Sequence, residues 1–320
     1  MAGIWVYAEV SGDGLDPTAL ELLTEARTLG GDVAAVALGP GATEAAQRLG
    51  EYGAETVYAS DDEVYADYIA EPAAHALTLL VEEHAPELLL FATNYDSRDI
   101  AGRLSARAGA SVVSNVSGVE DTSTVTTAIF GGSTIARVKL TGTPKIVLVR
   151  PKSFEAAPSG GRAEVVPVET PIPAGLKRAR RVARHEEAAA GPKLDQAAVV
   201  IAGGRGLQDA DNFKLLEELA TALDGAAVGA TRAVVDAGWV PYALQIGQTG
   251  ATVKPGVYLA FGISGATQHV VGMKGAKRIV AVNKDEDAPI FALADLGVVG
   301  DVLKVIPQLI EEIRKRKGHK

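Results

Sequence analysis

Val257-Tyr258-Leu259-Ala260-Phe261-Gly262-Ile263-Ser264-Gly265-Ala266-Thr267-Gln268-His269 is the stretch that decides the fold. Its apolar first part reads as a buried strand, Gly-Ser-Gly breaks it, and the remainder opens a helix. A strand that runs through a short turn into a helix is the unit of a parallel α/β sheet. Backbone N–H groups at the start of such a helix lack intrahelical acceptors and form an anion site. His269 lies one turn in, within reach of the same ligand, although a lone histidine is equally at home as a structural group.

The same grammar extends to both sides. Ala197–Gly203 reads as a buried strand ending in Gly203-Gly204-Arg205-Gly206. Glycine allows a phosphate to approach the backbone, and Arg205 adds charge. The pattern is Gly-x-Gly-x-x-Asp, with Asp209 where the third glycine of a dinucleotide fingerprint belongs, so a plain strand-to-helix turn fits as well. Strands near 226–230 and 278–282 end in Gly229-Ala230-Thr231-Arg232 and in Asn283. A hydroxyl beside a cation suits a phosphate or an electron-rich ring, whereas a surface arginine behind a cap is the bland alternative. Gln245-Ile246-Gly247-Gln248-Thr249-Gly250 offers two amides and a hydroxyl for directed hydrogen bonds to a planar heterocycle, or an ordinary polar loop. Asp211 precedes a helix carrying Leu216, Leu219, Ala220 and Leu223 on one face, and Asp301 caps the last helix, from Val302 to the basic tail Arg314–Lys320. Asn283 and Asp301 suit adenosine hydroxyls or ring nitrogens, and equally turns and caps. These residues share the C-terminal ends of strands, where an open doubly wound sheet binds its ligands.

Upstream, strands at 3–9, 32–38, 55–59 and 87–92 alternate with helices at 17–29, 41–49, 63–83 and 97–108. Asp16-Pro17 opens the first helix and Gly30-Gly31 closes it. From 111 to 150 the pattern turns β-rich, with Val119–Phe130, Ser133–Leu140 and Lys145–Val149 as added strands, some antiparallel. Proline at 151, 158, 167, 171, 173 and 192 marks a boundary segment. We therefore expect two domains, residues 1–193 including the linker and residues 194–320. The basic run Lys177–Arg184 within the linker reads as solvated chain or a partner contact, because acidic residues follow at once.

The 320 residues suffice for two α/β domains, and a 47% hydrophobic share dominated by Ala and Val suits helices packed on sheets. A net charge of −9 argues against nucleic acid. The absence of cysteine excludes disulfides, Cys-ligated clusters and a Cys nucleophile. Five scattered histidines show no ligand spacing, so no metal is expected. The N-terminus has no basic n-region and no apolar run reaches membrane length. A cytoplasmic location is expected, or the mitochondrial matrix if a presequence has been removed.

Taken in order, Thr231–Trp239, Gln245–Gly250, Phe261–His269, Gly272-Met273-Lys274, Ile279–Asp287 and Ala288-Pro289-Ile290-Phe291 closely resemble the FAD domain of electron-transfer flavoprotein alpha subunits. The resemblance covers about residues 197–310; Val149-Arg150-Pro151-Lys152-Ser153-Phe154 extends it more loosely into the first domain. It implies an N-terminal, mostly parallel α/β domain and a C-terminal doubly wound (Rossmann-like) FAD domain. It implies an electron carrier, with redox chemistry supplied by FAD. By the family pattern Arg232 lies over the isoalloxazine, Thr249 hydrogen-bonds flavin N5 and His269 lies near the C2 carbonyl. Gln245, Gln248, Ser264 and Gln268 add hydrogen bonds, and Gly206, Gly247, Gly262, Gly265 and Ala266 line the cofactor. Arg205, Thr231, Asn283 and Asp301 hold the pyrophosphate and adenosine end. Thr231 stands where serine is usual, and the hydroxyl is kept. The first domain reads Ile129-Phe130-Gly131-Gly132-Ser133-Thr134 where the family has a Tyr-Ala-Gly-Asn-like strand.

The resemblance further implies a heterodimer with a beta subunit that carries AMP or a second FAD. Electron donors would be flavin dehydrogenases such as the acyl-CoA dehydrogenases of fatty acid beta-oxidation, and the acceptor a quinone oxidoreductase. An electron-bifurcating complex with the same alpha subunit is the alternative. A non-redox nucleotide-binding scaffold would not need Arg232, Thr249 and His269 together. A nicotinamide dehydrogenase lacks its full glycine fingerprint and an acid–base pair.

Overall fold

The computed structural model describes residues 3–11, 14–130, 134–183, 192–194 and 197–318. Gly12-Asp13 of the first turn, Gly131-Gly132-Ser133, Arg184 of the basic run, part of the expected linker, and the last two residues of the basic tail lie outside them. The chain divides into two compact units, residues 1–184 and 185–320.

The first unit runs β1 (Ile4–Ser11), β2 (Gly14–Leu15), α1 (Thr18–Leu29), β3 (Val33–Leu38), α2 (Ala42–Glu51), β4 (Thr56–Ser60), α3 (Val64–Asp67), α4 (Glu71–His84), β5 (Leu88–Ala92) and α5 (Tyr95–Ala108). It continues with β6 (Ser111–Val119), β7 (Thr124–Ile129), β8 (Thr134–Lys139), β9 (Lys145–Val149) and β10 (Glu164–Pro167). The strands form one sheet in the order β10-β4-β3-β1-β5-β9-β6-β7-β8, with β2 hung on β1. Pairing is parallel from β10 to β6 and antiparallel through β7 and β8. Ile4, Val6 and Ala8 face one apolar layer and Trp5 and Tyr7 the other, as the two-residue period of a strand covered on both faces requires.

Local signals act as expected at several boundaries. Asp16 Oδ1 accepts from Thr18 N–H (2.8 Å) at the start of α1, and Asn94 Oδ1 accepts from Ser97 N–H (2.8 Å) at the start of α5. The expected helix 63–83 is two helices, because Pro72 cannot donate to a preceding turn. Ala70 turns the chain with a positive φ of 51°, and Pro72 then sits in the first turn of α4. Three strands were not expected as such, among them the two-residue β2 in the turn before α1. β6 begins eight residues before Val119, and β10 lies in the proline-rich segment. Pro167 is compatible with β10 because it ends a strand at the sheet edge.

The described part of the basic run is exposed but tied to the first unit rather than free. Arg178 pairs with Glu71 (2.8 Å), Arg180 with Asp67 (3.5 Å) and Arg181 with Asp96 (2.7 Å). Ile69 N–H donates to Ala179 O (2.9 Å), so the strap is also tied by its backbone to the break between α3 and α4.

The second unit contains β11 (Val199–Gly203), α6 (Phe213–Ala222), β12 (Ala227–Ala230), α7 (Arg232–Val235), β13 (Val257–Phe261), α8 (Thr267–Met273), β14 (Ile279–Asn283), β15 (Leu296–Val299) and α9 (Val302–Lys317). Its five strands are all parallel in the order β12-β11-β13-β14-β15. This is the doubly wound order 2-1-3-4-5, whose topological switch point falls between β11 and β13. β15 is short, exposed and contains Gly297, which removed it from a reading based on apolar runs. Asp211 does not cap α6 directly. Asp209 caps a one-turn 3-10 helix by accepting from Asp211 N–H (2.9 Å), and α6 starts two residues later. Among the described residues, no helix is long and apolar enough to cross a membrane.

Candidate functional site at the carboxyl edge of the second sheet

The singled-out residues of the second unit all fall at or beyond the C-terminal ends of the parallel strands. At the switch point the loops after β11 and β13 interlock. Gly204 N–H donates to Phe261 O and Gly206 N–H to Gly262 O, both at 3.0 Å. A Cβ on Gly206 would stand 2.5 Å from Gly262 Cα, and one on Gly262 2.6 Å from Gly206 Cα. The glycines here thus have a reason of their own, the contact between the two loops. The loop glycines leave Arg205 and Ser264 exposed on the rim.

A second cluster lies beyond β12. Thr231 and Arg232 start α7, whose first turn no side chain caps. Arg232 is exposed and its Nε donates to Asp236 (3.1 Å). The chain returns at Gln245, where Ile246 N–H donates to Ala230 O (2.9 Å) and so extends the edge of β12. Gln248 N–H donates to Gln268 O (2.7 Å), joining this loop to the start of α8, and a Cβ on Gly247 would meet the same carbonyl at 2.7 Å. The structure thereby brings Arg232, Gln248, Thr249 and Gln268 out on one rim, with Gln245, Gly247 and His269 buried behind them.

One of those buried groups, with an exposed tyrosine, holds Thr249 in place. Gln245, 3% exposed, donates from Nε2 to Thr249 Oγ1 (3.0 Å), and the Tyr242 hydroxyl donates to the Thr249 carbonyl. With its oxygen already accepting, the Thr249 hydroxyl keeps its proton to give to a ligand. Tyr242 was not among the expected site residues; its signal, an aromatic hydroxyl seven residues from a threonine in a glycine-rich loop, is meaningful only once the loop closes.

His269 is 6% exposed. Its Nδ1 lies 3.0 Å from Ile246 O and its Nε2 2.8 Å from Tyr258 Oη. A carbonyl only accepts, so Nδ1 carries the proton and Nε2 accepts from the tyrosine. Both ring nitrogens are engaged within the chain. Burial disfavours the imidazolium and, against the Ile246 carbonyl, pushes the pKa down to about 4 from 6.5. Burial likewise pushes the Tyr258 phenol well up. Above pH ~6.5 the folded and unfolded imidazoles are both neutral. Between there and about 4 only the unfolded chain takes up the proton, so stability falls with falling pH. The loss amounts to roughly 3 kcal/mol across that window, at about 1.36 kcal/mol per tenfold in proton affinity. Denaturant unfolding at neutral and mildly acid pH should show the loss in the wild type and a smaller one in His269→Asn. Equal acid losses would count against a buried neutral imidazole.

Farther along the edge, Asn283 Nδ2 donates to Ile263 O (2.9 Å) and its Oδ1 accepts from Asp285 N–H (3.1 Å). Asp301 caps α9 through Leu303 N–H (3.0 Å) and pairs with Lys284 (3.1 Å); that hydrogen bond and the cap hold its carboxyl below the usual range. Turn and cap therefore account for these two side chains. Gly265, at φ +88°, and Ala266 complete the turn into α8, whose first turn has no side-chain cap, although His269 N–H already donates to Ala266 O (2.9 Å). Five strands about 4.8 Å apart make an edge roughly 19 Å long, the scale of an extended two-part ligand rather than a single ring. Hydroxyls, amides and guanidinium groups at one end suit a heterocycle that gains negative charge; the interlocked loops and uncapped turn near the middle suit phosphates. Among the described residues no cluster of His, Asp or Glu has metal-ligand geometry.

A family model described as "Electron transfer flavoprotein domain" matches residues 4–173, and one described as "Electron transfer flavoprotein FAD-binding domain" matches residues 193–274. Proteins named "Electron transfer flavoprotein subunit alpha" are similar over nearly their whole length. The one from Mycobacterium leprae is 43% identical over 99% of this chain and 100% of its own. That from Mycobacterium tuberculosis is 44% identical over 99% and 100%. That from Syntrophomonas wolfei is 38% identical over 98% and 100%.

Proposed function

Since this chain belongs to the family of electron transfer flavoprotein alpha subunits, we propose that its second unit, beginning near Leu194, holds FAD along the carboxyl edge of the β12-β11-β13-β14-β15 sheet. The observation that carries this reading is the rim of Arg232, Gln248, Thr249 and Gln268, with Gln245 and His269 buried directly behind it. FAD, when bound, supplies the electron chemistry. Arg232, held by Asp236, is the cation nearest the ring-bearing end and stabilises negative charge there. Thr249, oriented by Gln245 and Tyr242, donates a hydrogen bond. Gln248 and Gln268 add amide contacts. The uncapped start of α8 with Ser264, Gly265 and Ala266, the Gly206 and Gly262 loops, Arg205 and Thr231 receive the phosphates. Asn283 and Asp301 keep the adenosine end in shape through the turn and cap they form.

The same reading makes the protein one half of a heterodimer with a beta subunit that holds AMP. It carries electrons from flavin dehydrogenases, such as acyl-CoA dehydrogenases, to a quinone oxidoreductase. The test is the visible spectrum of the complex purified with its co-expressed beta subunit, followed by anaerobic reductive titration. Flavin bands with one FAD per heterodimer support a simple carrier, whereas two flavins point to a bifurcating complex. A colourless complex that takes up no added FAD would overturn the reading. Arg232→Ala should lower the potential of the first reduction step; an unchanged potential removes Arg232 from that role.

A further inference from the structure

The layer beneath α8 is apolar, built from Val200, Ala202, Ile246, Ile263, Met273 and Ile279 among others. Two polar side chains reach into it, Tyr258 from β13 and His269 from α8, and they meet at 2.8 Å. Tyr258 is wholly buried. Phenylalanine would fill the same volume without desolvating a hydroxyl, which costs roughly 1–3 kcal/mol unless it is bonded. The hydrogen bond found for that hydroxyl goes to the imidazole, so its placement is explained by His269 rather than by the core.

The imidazole in turn donates to Ile246 O, in the loop that carries Gln245, Gln248 and Thr249. Three elements are linked in series: β13 through Tyr258, α8 through His269, and the 245–250 loop through Ile246. The tyrosine hydroxyl donates to Nε2, which polarises the ring and strengthens the Nδ1–H donation to the loop. It also keeps Nε2 satisfied within an apolar layer.

We propose that Tyr258 is a positioning residue of the cofactor site. Its hydroxyl fixes the plane and the Nδ1–H tautomer of His269, and through that imidazole the register of the 245–250 loop against α8. The inference rests on the flavin reading above. It extends that reading to a residue that does not reach the rim.

The test is Tyr258→Phe, alone and combined with His269→Asn, in the full heterodimer. Two readouts are needed: the flavin midpoint potential, and the imidazole nitrogen resonances of a complex in which only this chain carries 15N-histidine. Wild type should show a neutral, Nδ1-protonated His269. In Tyr258→Phe the Nε2 resonance should move toward that of an unbonded nitrogen. The variant should still bind flavin, with electron affinity lowered about threefold or more, and the tyrosine change should add nothing once His269 is replaced. A Tyr258→Phe complex with flavin bound, an unmoved Nε2 resonance and an unchanged potential overturns the proposal and leaves the flavin reading intact. A potential shift that persists in full without His269 also overturns it. A wild-type complex that takes up no flavin fails at the earlier step instead.

Discussion

Gly262→Ala should unfold the second unit at markedly lower temperature and strip it of bound flavin. Two costs add at this position. Gly262 has φ +63°, a conformation that costs an L-residue roughly 1–2 kcal/mol. The new methyl would also stand 2.6 Å from Gly206 Cα, a backbone atom that can move only if the loop moves. Overpacking of this kind costs roughly 1–3 kcal/mol more. The loop that must give way is held by Gly206 N–H on Gly262 O and Gly204 N–H on Phe261 O, the contacts that close the switch point between β11 and β13. The total of about 2–5 kcal/mol is a large part of the stability of a single domain. Gly238→Ala is the matched control. Gly238 has φ +73° but nothing within 4 Å of an added Cβ, so it carries the conformational cost without the collision. Thermal unfolding and bound-flavin absorbance of both variants separate the terms. Equal stability losses with full flavin content in both would mean that the two loops are not interlocked.

The carboxyl edge was legible because strand ends announce themselves. An apolar run broken by glycine, as at Phe261-Gly262 or Gly203-Gly204, marks both the end of a parallel strand and the place where a ligand can approach. Asp301 was legible as a cap for a similarly local reason. What escaped was non-local. Tyr258 sits in an apolar strand and looks like one more core residue until α8 folds His269 over the same face. Gln245 reads as a ligand contact in a polar loop, yet the fold turns it inward to hold Thr249. In the first unit, proline density masked β10, whose Val165-Val166 pair is enough for an edge strand but short of an apolar run. The basic run read as solvated because its acidic partners, Glu71, Asp67 and Asp96, lie about a hundred residues upstream on α4, α3 and α5.

Removing Glu71, the α4 carboxylate that anchors the strap, should markedly destabilise the first unit. Glu71 is 7% exposed at its side chain and receives Arg103 (2.6 Å), Arg107 (2.5 Å) and Arg178 (2.8 Å). Burial works against its charge, but the Arg178 hydrogen bond and the charges of Arg103 and Arg107 outweigh burial and hold its pKa below the usual carboxylate range. Glu71→Ala leaves three guanidinium groups facing one another, with Asp99 as a remaining partner for Arg103 (2.7 Å). The three arginine side chains are themselves 30–70% exposed and can be hydrated, so the cost falls below the about 3–5 kcal/mol of breaking a fully buried pair. Arg178→Ala is the counterpart on the outer side. Its side chain is 70% exposed, so the pair it loses is worth about 1 kcal/mol or less. A carboxylate with a depressed folded pKa contributes its stability above the unfolded value and loses it as pH falls through the folded one. The difference between wild type and Glu71→Ala, measured by denaturant unfolding of the first unit, should therefore be full at neutral pH and shrink on acidification below the ordinary carboxylate range. Limited proteolysis within 177–183 should quicken in Glu71→Ala more than in Arg178→Ala, because without the carboxylate Arg103 and Arg107 repel Arg178 of the strap, whereas Arg178→Ala only loosens one of its ties. A pH-independent stability difference, or equal cleavage in the two variants, would show that Glu71 holds the strap by packing rather than by charge.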